Sequence, residues 1–125
     1  MITGIDHVQV AAPPGCEDAA RAFYGGLLRL AELAKPEALA ARGGVWFACG
    51  AQQLHVGVQQ EFTPATKAHP ALRVSDADAL ERLVEQLQAA GHLATADVPA
   101  GGGPRVHVRD PFGNRLELCV PATAP

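Results

Sequence analysis

The sequence lacks the marks of several functional classes. It has no basic excess: 10 Lys and Arg stand against 13 Asp and Glu, for a net charge of −3. No Lys/Arg cluster offsets that balance, so an electrostatic footprint for nucleic acid is absent. No apolar run approaches the roughly 20 residues that a membrane-spanning helix needs, and no membrane association is expected. The opening segment, Met1 to Asp6, carries neither the basic nor the apolar region of a secretory signal, so none is expected. Cysteine is scarce and odd in number (Cys16, Cys49 and Cys119), with no CxxC spacing. A disulfide scaffold is therefore not expected, and a reducing cytoplasm is the default compartment. The short-range metal pattern HExxH is missing as well.

What is present is globular. The chain has 125 residues, of which 48% are hydrophobic. That is one domain by length, or two very small modules sharing a core. Composition carries no function here; the histidines do.

Two histidines each precede an alternating run: His7 in Asp6-His7-Val8-Gln9-Val10, and His69 in His69-Pro70-Ala71-Leu72-Arg73-Val74. A helical pattern and then glycine-punctuated strands follow each. The first unit ends on Gln53 to Val58, which contains His55, and the second on Arg115 to Val120, which contains Glu117. The separation from His7 to His55 equals that from His69 to Glu117. Two units of matched length thus place a potential metal ligand near the start of the first strand and within the last.

Local patterns fill in the units. Leu80, Leu83, Val84 and Leu87 follow helical spacing and predict a helix over 76–90, capped by Ser75 with Asp78 in support and closed by Gly91. A shorter helix is expected from about Cys16 to Leu28, with Ala20, Phe23, Tyr24 and Leu27 on one face. Val45 to Cys49 and Leu54 to Val58 read as a hairpin across Gly50-Ala51. Arg105 to Arg109 alternates strictly, turns at Asp110 to Asn114, and returns at Arg115 to Val120. Residues 30–43 and 92–103 each have room for one edge strand and a loop, and residues 59–67 form a linker too short to separate independent domains. The reading is α+β, βαβββ followed by βαβββ: a single domain over 1–125, with one module at about 1–58 and a second at about 68–120.

Strand parity sorts the side chains. Val8, Val10, Leu54, Val56, Val58, Leu72, Val74, Val106, Val108, Leu116, Leu118 and Val120 form the face to be buried. The opposite face collects His7, His55, His69, His107, Glu117, Gln9, Gln53 and several arginines. A solvated sheet face is the plain alternative, but four of five histidines on one face points to a site. Imidazoles and a carboxylate suit a first-row divalent metal.

On these residues the sequence resembles the vicinal oxygen chelate superfamily of glyoxalase I, fosfomycin-resistance enzymes, bleomycin-resistance proteins and extradiol dioxygenases. The resemblance rests on Gly4 to Val8, on Phe23 to Leu28, on Ala68 to Val74, and most specifically on Asp110-Pro111-Phe112-Gly113-Asn114-Arg115-Leu116-Glu117-Leu118. It implies a U-shaped, partly open sheet around a cleft. It implies one divalent metal per site (Zn, Ni, Fe or Mn) held by His7, His69 and Glu117, with His55 at the fourth position. His55 departs from the Glu or Gln common there in glyoxalase I, and it sits near the acid/base histidine of extradiol enzymes. It is thus a ligand, an acid/base or a lining residue. Arg29 stands where the family usually ends its first helix on glycine.

The activity implied is that of a lyase or isomerase acting on a small vicinally oxygenated substrate chelated to the metal. An Fe(II) ring-cleaving dioxygenase and a metal-free antibiotic-binding protein are the alternatives. His55, Glu117 and His107 are the candidate acid/base groups, and His107 is otherwise a polar strand residue. Gln9, Gln53, Arg73, Arg105 and Trp46 are candidate substrate contacts, with Arg109 a further candidate for an anionic substrate. Trp46 and Phe47 alternate, so one faces the core. His92 is expected in a surface loop, Cys119 as a small buried hydrophobe, and Gly101-Gly102-Gly103 as a loop beside the cleft. A homodimer is expected, because two small modules leave much sheet unburied and many relatives complete their sites across a two-fold interface.

Overall fold

The computed structural model describes residues 1–97 and 102–122. Its elements run in the order β1 (His7–Ala12), α1 (Glu17–Ala20), which continues as a π-helical segment (Arg21–Leu27), β2 (Glu32–Leu33), α2 (Glu37–Ala40), β3 (Val45–Cys49), β4 (Gln52–Val58), β5 (Ala71–Arg73), α3 (Ala77–Ala89), β6 (Thr95–Asp97), β7 (Arg105–Arg109) and β8 (Arg115–Cys119). The chain forms two compact units, Met1–Pro64 and Ala65–Pro125. Each contains one four-stranded mixed sheet, ordered β1-β4-β3-β2 in the first and β5-β8-β7-β6 in the second. In both, the first strand pairs parallel with the last and the other neighbours are antiparallel. This is an α+β architecture of two βαβββ modules with open sheets, as the matched spacing predicts.

The division falls inside the expected linker because Ala65 is tied to the second unit. Its N–H donates to Asn114 Oδ1 at 3.1 Å, and its carbonyl accepts from Arg115 N–H at 3.0 Å.

Parity places the core on the expected side of each sheet, although Val8, Val58, Leu72, Val74 and Val120 are only half-buried and His55 and Glu117, on the opposite side, are buried. Val10, Ala12, Val45, Phe47, Leu54 and Val56 are buried in the first unit, and Val106, Val108, Leu116 and Leu118 in the second. Phe47 takes the core position and Trp46 the opposite face. The three cysteines are free thiols. Among the described residues no helix is long and apolar enough to cross a membrane.

The structure corrects several local expectations. The cap of α3 is Asp76, not Ser75: its carboxylate accepts from Ala79 N–H at 2.8 Å. Asp at this position stabilises the helix start both by that bond and by its charge. Gly91 closes the helix at φ 90°, with Gly91 N–H and His92 N–H donating back to the Gln88 and Leu87 carbonyls. The first helix is α-helical for one turn only. It then widens, with Leu28 N–H donating to Phe23 O at 2.9 Å, five residues back. That widening buries Ala20, Phe23 and Tyr24 but leaves Leu27 half-buried. It ends on Arg29 at φ 62°, so the arginine itself adopts the left-handed conformation that glycine takes most easily. The short helix α2 was not foreseen. β5 begins at Ala71, so His69 lies two residues before the strand rather than within it.

Candidate functional site

In the second unit, pairing brings the predicted residues onto one rung. Ala71 pairs with Glu117 and Glu117 with His107, while Thr95 pairs with His107 from the edge strand. His69, two residues upstream of Ala71, reaches the same rung. One possible ligand atom from each of His69, His107 and Glu117 lies within 4.8 Å of the others. Glu117 is only 7% exposed. Glu117, expected on the polar face, is thus a buried carboxylate, and it needs compensation.

That compensation comes from two sides. Glu117 Oε2 lies 3.3 Å from Arg105 Nη1, and Oε1 lies 3.3 Å from His69 Nε2. Arg105, expected as a substrate contact, is thus engaged by the carboxylate; its Nε is buried without a partner. His69 Nδ1 lies 2.9 Å from the Lys67 carbonyl, which can only accept. Nδ1 therefore donates to that carbonyl, and Nε2 is the nitrogen turned to Glu117. A carboxylate oxygen only accepts, so the contact at Nε2 calls for a cation between the two groups, a proton or a metal ion in its place. A carbonyl that fixes one ring nitrogen is the usual support of a metal-binding histidine.

His107 is arranged differently. Its Nε2 lies 2.7 Å from Asp97 Oδ2 and 3.9 Å from Glu117 Oε1. A carboxylate at 2.7 Å needs a proton on Nε2, and a protonated nitrogen cannot ligate. Its Nδ1 is buried without a partner. Of the three, His69 and Glu117 have the geometry of ligands, whereas His107 holds a proton at Nε2 beside them. Asp97 was not foreseen. It lies on a three-residue edge strand whose sequence carries no alternation, and only the pairing of Asp97 with Arg105 reveals its place.

The first unit carries its own cluster. His55 is 5% exposed and sandwiched between two rings: Trp46 at 3.9 Å between centroids and 1° between planes, and His7 at 4.3 Å and 18°. His55 Nε2–H donates to Gln53 Oε1 at 2.8 Å. Burial first, then the neighbouring His7, push the His55 pKa below the ordinary imidazole value; Asp6 acts the other way without offsetting them. His7 Nδ1 lies 2.9 Å from Asp6 Oδ2. This second histidine thus also has one nitrogen held by an acceptor and Nε2 left with its lone pair. Gln9 lies on β1 at the register of His55, its side chain over Gly57. Gln53 and Trp46, expected as substrate contacts, support His55. Arg73 is exposed on β5 opposite Cys119.

The two units match by register. His55 pairs with Trp46 and Gln9 as Glu117 pairs with His107 and Ala71. His92 lies in the loop after α3, as expected, half-buried and lining a cavity. Of the triple glycine, Gly101 lies outside the described residues, and Gly103 packs closely on the Val120 carbonyl.

Comparisons with known proteins agree with this architecture. A putative glyoxalase family protein from Bacillus anthracis is 47% identical, with a TM-score of 0.89 and 97% of each chain covered. Lactoylglutathione lyase from Agrobacterium tumefaciens is 23% identical, with a TM-score of 0.73, 95% of this chain and 94% of that chain covered. The fosfomycin resistance protein FosX from Listeria monocytogenes, solved with Mn(II) and a sulfate ion, is 16% identical, with a TM-score of 0.77, 98% of this chain and 94% of that chain covered. None of the curated proteins compared with the chain matches it. Residues 4–118 match the family Glyoxalase/Bleomycin resistance protein/Dioxygenase superfamily, and the chain belongs to it.

Proposed function

We propose that the chain is a metal-dependent enzyme of the glyoxalase type, a lyase or isomerase acting on a small vicinally oxygenated substrate. The observation that carries this reading is the open Nε2 of His69 facing the buried carboxylate of Glu117 at 3.3 Å. The donor set fits a divalent ion such as Zn, Ni, Fe or Mn: a neutral imidazole with its other nitrogen held, and a carboxylate. His7 and His55 are the further ligands in this reading, His7 with the same held-nitrogen arrangement. When bound, the ion supplies Lewis-acid polarisation of the substrate's vicinal oxygens.

The chain's own residues do the rest. Arg105 holds Glu117 Oε2 and so leaves Oε1 as the coordinating atom. Asp97 orients His107, the candidate acid/base group beside Glu117. Trp46 and Gln53 fix the plane and tautomer of His55. A homodimer and a small-molecule substrate belong to the same reading.

Elemental analysis of untagged protein tests it, with His55→Ala and Glu117→Ala beside wild type. Metal at about one ion per site, lost in Glu117→Ala, supports the reading; protein that takes up no added metal overturns it. Occupancy retained in His55→Ala assigns His55 to acid/base or lining work.

A second reading is favoured by His7 and His69, each of which has Nδ1 held by an acceptor. With Glu117 they make the two-histidine, one-carboxylate set of non-haem Fe(II) oxygenases, and His55 is then the acid/base group. A catechol-dependent spectral change in anaerobic Fe(II)-loaded protein, with oxygen uptake on admission of air, supports that reading; its absence rejects it.

A further inference from the structure

Arg109 and Arg115 stand directly opposite each other across β7 and β8. Like charges in direct cross-strand register destabilise a sheet. Among the described residues no carboxylate forms an ion pair with either guanidinium. The acid beside them in sequence, Asp110, is buried, and its carboxylate accepts from Phe112 N–H, Asn114 N–H and Asn114 Nδ2. Its charge is spent on the turn. Arg109 Nη1 donates to the Gly113 carbonyl at 3.0 Å, which anchors that guanidinium at the turn.

The pair borders a cavity of about 600 Å³. His92, Thr95, His107 and the turn residue Asp110, whose carboxylate is taken up by the turn amides, are its other polar residues, and Leu93, largely exposed, forms part of an apolar lip. His107 belongs both to this wall and to the rung of Glu117. Arg115 Nη2 lies 3.4 Å from His107 Nε2, so the cationic end of the cavity abuts the candidate metal cluster.

We propose that this cavity binds the anionic group of a small organic acid, a carboxylate or a phosphoryl group, between Arg109 and Arg115. The substrate's vicinal oxygens then lie a short distance away at His69 and Glu117. Guanidinium forks match planar and tetrahedral oxyanions bidentately, and a bound anion removes the repulsion that the register imposes. This names a substrate class for the proposed enzyme, and so rests on that reading, but anion binding itself needs no metal.

The test uses chelator-treated, full-length protein at fixed ionic strength, followed by amide chemical shifts. The probes are succinate, its neutral isostere succinamide, and inorganic phosphate. Succinate is expected to shift the amides of Thr95, Arg109 and Arg115, and succinamide to leave them in place. Arg115→Gln and Arg109→Gln are each expected to weaken succinate about tenfold, the scale of losing a charge-assisted pair. Arg82→Gln, exposed on α3, is expected to leave it unchanged. Phosphate binding more tightly than succinate assigns a phosphoryl group, and weaker binding assigns a carboxylate. Equal shifts with succinate and succinamide overturn the proposal. So does wild-type succinate affinity in either folded arginine variant; the same spectra report folding, and the exposed Arg109 supplies the variant least able to disturb it. Mn(II) titration of the same samples separates the two claims. Succinate bound without Mn(II) uptake removes the metal reading alone, and Mn(II) uptake without succinate binding removes this one alone.

Discussion

His69 Nε2 faces Glu117 Oε1 at 3.3 Å while the other ring nitrogen, Nδ1, donates to the Lys67 carbonyl. The carbonyl holds Nδ1 as a donor and leaves Nε2 turned to a carboxylate, which only accepts. A proton, or a metal ion in its place, is what joins the two groups. The backbone arranges this before any ion arrives: the chain enters β5 at Ala71 with His69 still outside the strand, and Glu117 sits on β8 directly opposite Ala71.

The first helix ends on a strained arginine. Arg29 at φ 62° bears the left-handed penalty that glycine avoids. Arg29→Gly relieves it but gains freedom in the unfolded chain, so the two effects partly cancel. The expected outcome is stabilisation by up to about 1 kcal/mol. Chemical denaturation checks it through a higher midpoint at unchanged slope; a lower midpoint contradicts it.

The turn before β8 depends on one carboxylate. Asp110 accepts from Phe112 N–H, Asn114 N–H and Asn114 Nδ2, and Asn114 in turn receives Ala65 N–H. Asp110→Ala strands these donors. A loss of about 2–3 kcal/mol is expected, the range for unsatisfied buried groups and charge-assisted bonds. Denaturant unfolding measures it, and a change below about 0.5 kcal/mol, the range of ordinary surface substitutions, contradicts it.

His55 makes stability sensitive to pH. Its folded pKa is lowered by burial and by His7, against the smaller opposing pull of Asp6. The unfolded chain therefore binds a proton that the folded chain resists. The contribution is intact above the ordinary imidazole value of about 6.5 and is lost as pH falls below it. Between pH of about 7 and about 5, wild type should lose more stability than His55→Gln, which keeps a polar group and cannot titrate. Parallel stability curves for the two proteins contradict this.

Much of the site was legible because it lies on strands. Alternation alone put His7 and His55 on the polar side of the first sheet and His107 and Glu117 on that of the second, and the matched separations anticipated the equivalent registers of His55 and Glu117. What stayed hidden depends on contacts between distant segments. Asp97 sits on a short edge strand with no alternating pattern, and its meeting with His107 depends on how that strand pairs. Glu17 reads as an ordinary first-turn acid. Its carboxylate in fact accepts from Gly44 N–H at 2.7 Å, which holds it below the usual carboxylate range. Arg105 reads as a candidate substrate contact, and only the fold shows it paired with Glu117.

The central claim is that His69 and Glu117 ligate a divalent ion. Calorimetric titration of Mn(II) into chelator-treated protein tests it most directly, with wild type beside His69→Ala and Glu117→Gln. Loss of an outer partner of a ligand costs about 10–100-fold in metal affinity, so loss of a ligand should cost more than about 100-fold. Micromolar or tighter binding by wild type, with that loss in both variants, is the predicted result. A wild type that binds no Mn(II), or variants that bind it as wild type does, would contradict the account.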